Sequence, residues 1–250
     1  MSRTFSRPGD RSPEIDRKAV LDFFEQRAAK AGTIGATRAV IYQDKNEDLA
    51  ERRDAAEKLH LFPKLSLQAD DRILDAGCGT GRWTGLLTAN GAAYHGVDVS
   101  PGLIDVARRQ FDSVHESRFT VCSIDKITLE SIGASAPFSK IISFGVYIYL
   151  NDKEVLQALK RLAEVAAPSC RILFREPVGV DMRLTLKEHY SDDMDQFYSA
   201  IYRTESELLA MFDSTLITSG FRLIETGDVY LDSTLNNRSD TRQRFFLFER

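Results

Sequence analysis

The chain has 250 residues, 43% apolar and 28% charged, with a formal net charge of −4, which suits one globular core with a modest appendage. The charge gives no global basic field to recruit nucleic acid, no apolar run approaches the roughly 20 residues of a membrane span, and the first residues lack the apolar stretch of a secretory signal. The three cysteines, Cys78, Cys122 and Cys170, are far apart and without C-x-x-C spacing, so reduced thiols in a cytoplasmic protein are expected, with neither a disulfide framework nor a metal site.

Residues 1–13 are poor in apolar side chains, and their basic residues (Arg3, Arg7, Arg11) alternate with Asp10; a disordered, solvated tail is expected. Ile15, Ala19, Val20, Phe23, Phe24 and Arg27 fall at helical spacing and predict a helix over about 14–31. After a Gly/Thr-rich break, Leu49, Ala50, Arg53, Ala56, Glu57 and His60 line one side of a second helix, over about 46–62, that stops near Pro63. Both precede the first strand, so residues 14–66 read as a helical cap and residues 67–250 as the core.

From Asp71 strands and helices alternate. Arg72–Asp75 is a short apolar strand, Trp83–Ala89 a helix and Ala92–Asp98 a second strand. Ser100-Pro101 caps a helix running to about Phe111. Strands follow at Phe119–Cys122 and at Lys140–Val146, the latter almost wholly apolar, as a strand covered on both faces should be. Asn151 and Glu154 stand at capping-box spacing before a helix that ends near Pro168, and Arg171–Phe174 is the fifth strand. Residues 178–203 are then polar and aromatic without a strand pattern. Thr204 and Glu207 open a further helix ending at Gly220. Two closing strands, from Phe221 and over Arg244–Phe248, have no helix between them and should pair antiparallel.

The segment Asp75-Ala76-Gly77-Cys78-Gly79-Thr80-Gly81 lies between a strand and a helix. Glycines let the backbone turn tightly and let a ligand lie against main-chain N–H groups. Asp98 ends the second strand about 20 residues on, where an α/β sheet places a carboxylate for ribose hydroxyls. A nicotinamide oxidoreductase is the competing reading. Against it stand Asp75, a negative charge just where a pyrophosphate would lie, and G-x-G-x-G spacing in place of G-x-G-x-x-G.

These residues resemble the class I S-adenosylmethionine (SAM)-dependent methyltransferases over about 71–250. The resemblance implies a doubly wound α/β fold with a seven-stranded sheet of order 3-2-1-4-5-7-6, strand seven antiparallel, and SAM as cofactor with S-adenosylhomocysteine as product. It implies cofactor contacts from Asp75, Gly77, Cys78, Gly79, Gly81, Asp98, Val99, Ser123, Ile124 and Phe144. The family's adenine-binding Asp after the third strand is replaced by Cys122-Ser123-Ile124, leaving Ser123 or the backbone to serve. Segments around Tyr42-Gln43-Asp44, Arg175-Glu176-Pro177 and Ala200–Thr204 are similar to a bacterial subgroup associated with surface polysaccharides or secondary metabolites. A SAM-binding protein without transferase activity is the remaining alternative.

Methyl transfer needs alignment and exclusion of water, and a base only where the acceptor carries a proton. The candidate bases are His189, Tyr190 and Glu176; His60, His95 and His115 read as structural. Arg53 could reach the methionine carboxylate of SAM. Tyr42, Arg175, Arg183, Tyr198, Tyr202 and Arg203, with Arg38, flank the core and suit a carboxylate, phosphate or planar acceptor. Trp83 reads as core packing. The expectation is a small-molecule O- or N-methyltransferase, monomeric or homodimeric, with no nucleic-acid or membrane partner, whose segment 178–204 folds over the site as a lid.

Overall fold

The computed structural model describes residues 2–7, 10, 12–111, 113, 114, 117–236 and 238–250. Its N-terminal part comprises strand β1 (Ser2–Ser6) and helices α1 (Arg17–Ile34), α2 (Ala36–Ile41) and α3 (Glu47–Leu61). The core follows as β2 (Arg72–Ala76), α4 (Thr84–Leu87), β3 (Ala93–Asp98), α5 (Pro101–Phe111), β4 (Ser117–Val121), α6 (Leu129–Ile132), β5 (Phe138–Phe144), α7 (Asp152–Val165) and β6 (Ala166–Gly179). Then come β7 (Arg183–Ser191), β8 (Gln196–Tyr202), α8 (Glu205–Asp213), β9 (Arg222–Asp228) and β10 (Thr241–Glu249).

Seven strands form one sheet in the order β4-β3-β2-β5-β6-β10-β9. β2 to β6 pair in parallel, and β10 runs antiparallel to both β6 and β9. The central strands are apolar on both faces because both are covered. Leu74, Ile141, Ile172 and Phe174 pack with Leu159 and Leu162 of α7. Ile73, Ile142 and Leu173, one position out of phase, pack with Leu61 and Leu65 behind α3. A parallel sheet gathers its loops along the edge where its strands end, so the loop after β2, Asp98 and the turn after β5 meet there.

Three local expectations are corrected. Ser2–Ser6 is not a disordered tail: it pairs antiparallel with β7. Of the tail residues named above, Arg11 lies outside the described residues. Residues 178–203 are not strand-free: β7 and β8 form a hairpin, and with β1 a separate sheet of three strands. Leu184, Leu186, Tyr198, Ala200 and Tyr202 alternate inward on it against Val20 and Phe23 of α1. Its period is obscured by a register shift between Leu186 and His189 and by the left-handed residues Glu188 and Asp195, φ 48° and 47°. The helix after the glycine turn spans only Thr84–Leu87, where Gly85 and the Asn90-Gly91 pair weaken helical continuation.

The N-terminal cap sits on the core through specific bonds. The Asn151 side chain accepts from Ile15 N at 2.9 Å and donates to Ile15 O at 3.1 Å, while Glu154 accepts from Asn151 N at 2.8 Å. Ser100 Oγ donates to Glu25 of α1 at 2.6 Å. Among the described residues, no helix is long and apolar enough to cross a membrane.

Candidate functional site

The turn after β2 is built on backbone angles that side chains resist. Gly77, Gly79 and Gly81 have φ of 93°, 55° and 78°. A Cβ on Gly77 would stand 2.2 Å from Val146 Cγ2, so the close approach of two loops requires glycine there. Gly77 N and Cys78 N both donate to Val97 O, at 2.7 and 3.0 Å. Asp98 then ties the turn to the end of β3: its carboxylate accepts from Gly79 N at 3.0 Å and from Ser100 N at 2.9 Å. Burial pushes the Asp98 carboxyl up to about 6 against those bonds. Asp75 is buried beneath, accepting from Tyr94 Oη at 2.8 Å, and burial pushes it up to about 7.

Above this turn lies a cleft of about 560 Å³, within the range of small-molecule sites. It is lined by the apolar side chains of Leu21, Phe24, Val99, Leu103, Ile124 and Leu150 and by Asp75, Asp98, Gly77, Cys78 and Gly79. Ser123 also lines it, accepting from Arg17 Nη2 at 2.9 Å and donating to Asp125. Trp83 does more than pack: it lines the cleft edge-to-face with Phe144, ring centres 5.0 Å apart. An adenosyl ligand fits this lining, which offers apolar side chains for a flat ring and a part-buried carboxylate for hydroxyls. Bare backbone where glycine is required lets such a ligand lie close to the main chain.

A second cavity, about 700 Å³, adjoins the first. Its walls come from α2 and α3, the β7–β8 hairpin and the loop before β10, and include His189, Tyr190, Tyr198, Tyr202, Tyr230 and Arg238. Six residues line both spaces: Val40, Tyr42, Phe144, Gly145, Tyr149 and Arg175. Tyr42 ends α2 in the left-handed region at φ 63°, which turns its ring toward Tyr149 and Phe23. Burial raises the hydroxyl pKa of Tyr42, and raises Tyr149 and Tyr202 well above the ordinary tyrosine value. His189 stacks edge-on to Tyr198; partial burial, then Arg238 and Arg3, lower its pKa, favouring the neutral imidazole.

Four expected site residues line neither cavity. Glu176 is 1% exposed and lines neither cavity; its Oε1 accepts from Val146 N at 2.7 Å and Tyr147 N at 3.1 Å, capping the turn after β5. Arg183 pairs with Asp152 at 2.8 Å and Glu207 at 3.4 Å. Arg203, 1% exposed, donates to Tyr147 O, Leu150 O and Asp152. Both arginines point back from the hairpin into the core, where they brace the β5–α7 connection. Gly81 lines neither cavity; its bare face meets the Phe111 ring and Thr84. Arg53 lines the second cavity and not the cofactor-sized cleft, because α3 directs its Nε onto Leu235 O at 2.7 Å. Arg38 bonds Ile34 O and pairs with Glu47. His60 bonds Val229 O and His95 bonds Thr120, while His115 lies outside the described residues.

Reading the sequence missed Glu57, Arg82, Tyr149, Tyr230 and Arg238. Glu57 is 2% exposed and joins three elements: it accepts from Arg82 Nη2 at 2.5 Å and Trp83 Nε1 at 3.2 Å, and pairs with Arg175 Nε at 2.9 Å. Burial alone would raise its carboxyl; Arg175 and Arg82 outweigh that and hold it low. The available signal was position, since Glu57 lies one turn beyond Arg53 on the same face of α3. Among the described residues no group of three or more His, Cys, Asp or Glu is placed to hold a metal ion.

Residues 73–169 match the family model described as a methyltransferase domain. The malonyl-[acyl-carrier protein] O-methyltransferase of Serratia marcescens is 30% identical over 125 residues, 50% of this chain and 45% of that protein. The methyltransferase GfsG of Streptomyces halstedii is 26% identical over 182 residues, covering 70% and 62%. The chain thus spans less than two thirds of the length of either curated relative. Among solved structures, the SAM-bound magnesium protoporphyrin IX methyltransferase of Synechocystis PCC 6803 superposes with a TM-score of 0.64 at 16% identity, covering 96% of this chain and all of that one.

Proposed function

We propose that this chain is a class I SAM-dependent methyltransferase that moves the methyl group of SAM to an oxygen or nitrogen atom of a small molecule held in the second cavity. The observation that carries the reading is the wall shared by the two cavities. A ligand seated on the glycine turn and Asp98 shares Tyr42, Phe144, Gly145, Tyr149 and Arg175 with whatever occupies the larger space.

SAM bound in the cleft supplies an electrophilic methyl group on a sulfonium. In this reading Asp98 accepts from the ribose hydroxyls and Val99, Leu103 and Ile124 flank the adenine. Ser123 or Asp125 meets the adenine's polar edge, and the bare backbone of the turn at Gly77 and Gly79 lets the rest lie close to the main chain. Arg82 and Arg175 provide positive charge at the cleft. The aromatic faces of Tyr42, Phe144 and Tyr149 exclude water at the junction and fix the approach of the acceptor. His189, whose surroundings favour the neutral imidazole, is the group that takes a proton from an acceptor hydroxyl or ammonium in this reading. The hairpin and β1 serve as the cover over the acceptor.

The test is release of S-adenosylhomocysteine from purified protein given SAM and pooled small hydroxy and amino compounds. Acceptor-dependent release supports the reading. SAM binding without release for any pool would favour a binding protein that lacks transferase activity.

A further inference from the structure

We infer that the acceptor carries an anionic group, a carboxylate or a phosphate, and that Arg53 and Tyr230 form the clamp that holds it. The inference deepens the methyl-transfer reading and rests on it for the word acceptor.

Four arginines line the larger cavity: Arg3, Arg53, Arg175 and Arg238. Three have carboxylate partners in the protein. Arg3 and Arg238 both pair with Asp240, and Arg175 pairs with Glu57. Arg53 is the exception among the described residues. It is 3% exposed, yet only its Nε is bonded, to Leu235 O. A guanidinium has five N–H donors in a planar fork, and a buried cation without a counter-charge is strongly unfavourable unless something supplies one.

The nearest candidates within the chain are committed or too far. Glu57, one turn on along α3, already holds Arg82, Trp83 and Arg175. Asp193 lines the same cavity but makes no ion pair within 4 Å of Arg53 among the described residues. Tyr230, 9% exposed, lines the cavity as well, and its hydroxyl has no hydrogen-bond partner among the described residues. Burial, partly offset by Tyr230 and Asp193, lowers the pKa of Arg53, as expected for a cation awaiting its partner. Free N–H donors and a free hydroxyl on the walls of one cavity rich in tyrosine rings match a bidentate oxyanion on a flat body.

The probes are benzoate, phenyl phosphate and the neutral isostere benzamide, titrated calorimetrically into protein saturated with S-adenosylhomocysteine. At least one anion should bind about tenfold or more tighter than benzamide, as charge-assisted hydrogen bonds require; which one does so identifies the group as carboxylate or phosphate. Arg53→Gln should reduce that preference to less than about threefold with S-adenosylhomocysteine affinity unchanged. Tyr230→Phe should weaken the preferred anion several-fold and leave benzamide unaffected, which covers the case in which Arg53→Gln does not fold. Equal or absent binding of all three probes, or a preference that survives both substitutions, would overturn the clamp. Failure of S-adenosylhomocysteine itself to bind would instead remove the methyl-transfer reading, while an Arg53-dependent anion preference could still be read without it.

Discussion

Replacing Glu176 with glutamine separates a structural carboxylate from a catalytic one. Glu176 is buried away from both cavities and holds two backbone N–H groups of the turn after β5. Burial raises its pKa from the ordinary 4.5 to about 7, so the fold prefers the neutral form. The stabilisation from that preference is complete below pH 4.5 and is lost as pH rises through 7. At about 1.4 kcal/mol for each pH unit between the two values, the loss is roughly 3 kcal/mol by pH 9. Glutamine keeps an oxygen for Val146 N and Tyr147 N and never ionises. Its other terminal group replaces Oε2, which already lacks a hydrogen-bond partner. Glu176→Gln should therefore match the parent at pH 4.5 and exceed it by up to about 3 kcal/mol at pH 9, with kcat within about twofold at any pH where both are folded. Glu176→Ala, leaving two buried N–H groups unpaired, should lose about 2–6 kcal/mol at pH 7. Urea denaturation across pH 4.5–9 reads both. A Gln variant with the parent's pH profile, or one that folds but loses kcat a hundredfold, would refute the structural role.

Gly77→Ala should destabilise by about 2–5 kcal/mol, from a left-handed backbone and a clash with Val146; adding Val146→Ala should recover only the clash portion, as read by chemical denaturation. His189→Ala should lower kcat by about 10²–10⁴-fold with SAM affinity unchanged if its imidazole takes the acceptor's proton. A fall below about tenfold would leave alignment by Tyr42 and Tyr149 as the working chemistry.

The parallel core was legible because a sheet covered on both faces writes itself as apolar runs: Ile141-Ile142 and Ile172-Leu173-Phe174 read as strands in any context. The glycine turn was legible for the opposite reason, that positive φ and close packing against Val146 exclude side chains there. The hairpin was not. Thr185, on the opposite face from Leu184 and Leu186, is buried as well, and a bulge near Glu188 breaks the two-residue period. Arginine was the least readable residue type. Arg53, Arg175, Arg183 and Arg203 all lie beside the core in sequence, yet Arg183 and Arg203 face inward onto Asp152 while Arg53 and Arg175 face the cavities. Which of these occurs depends on where Asp152 and Glu57 fall in space. Tyr149 was hidden by its position in a short turn after β5, with no periodicity to mark its direction.

The central claim, that the cleft on the glycine turn and Asp98 binds SAM, is tested most directly by calorimetric titration of parent and Asp98→Ala with SAM and with NADH. Burial pushes the Asp98 carboxyl up to about 6 and the proposed ribose contacts need the carboxylate, so parent affinity should lie in the micromolar range at pH 8. It should then weaken as pH falls through 6, by up to tenfold per unit. Asp98→Ala should bind SAM about tenfold or more weakly and without that pH dependence, with some loss of stability because Gly79 N and Ser100 N lose their acceptor. NADH should give no saturable heat. Tight NADH binding, or SAM affinity unchanged in Asp98→Ala, would contradict the claim.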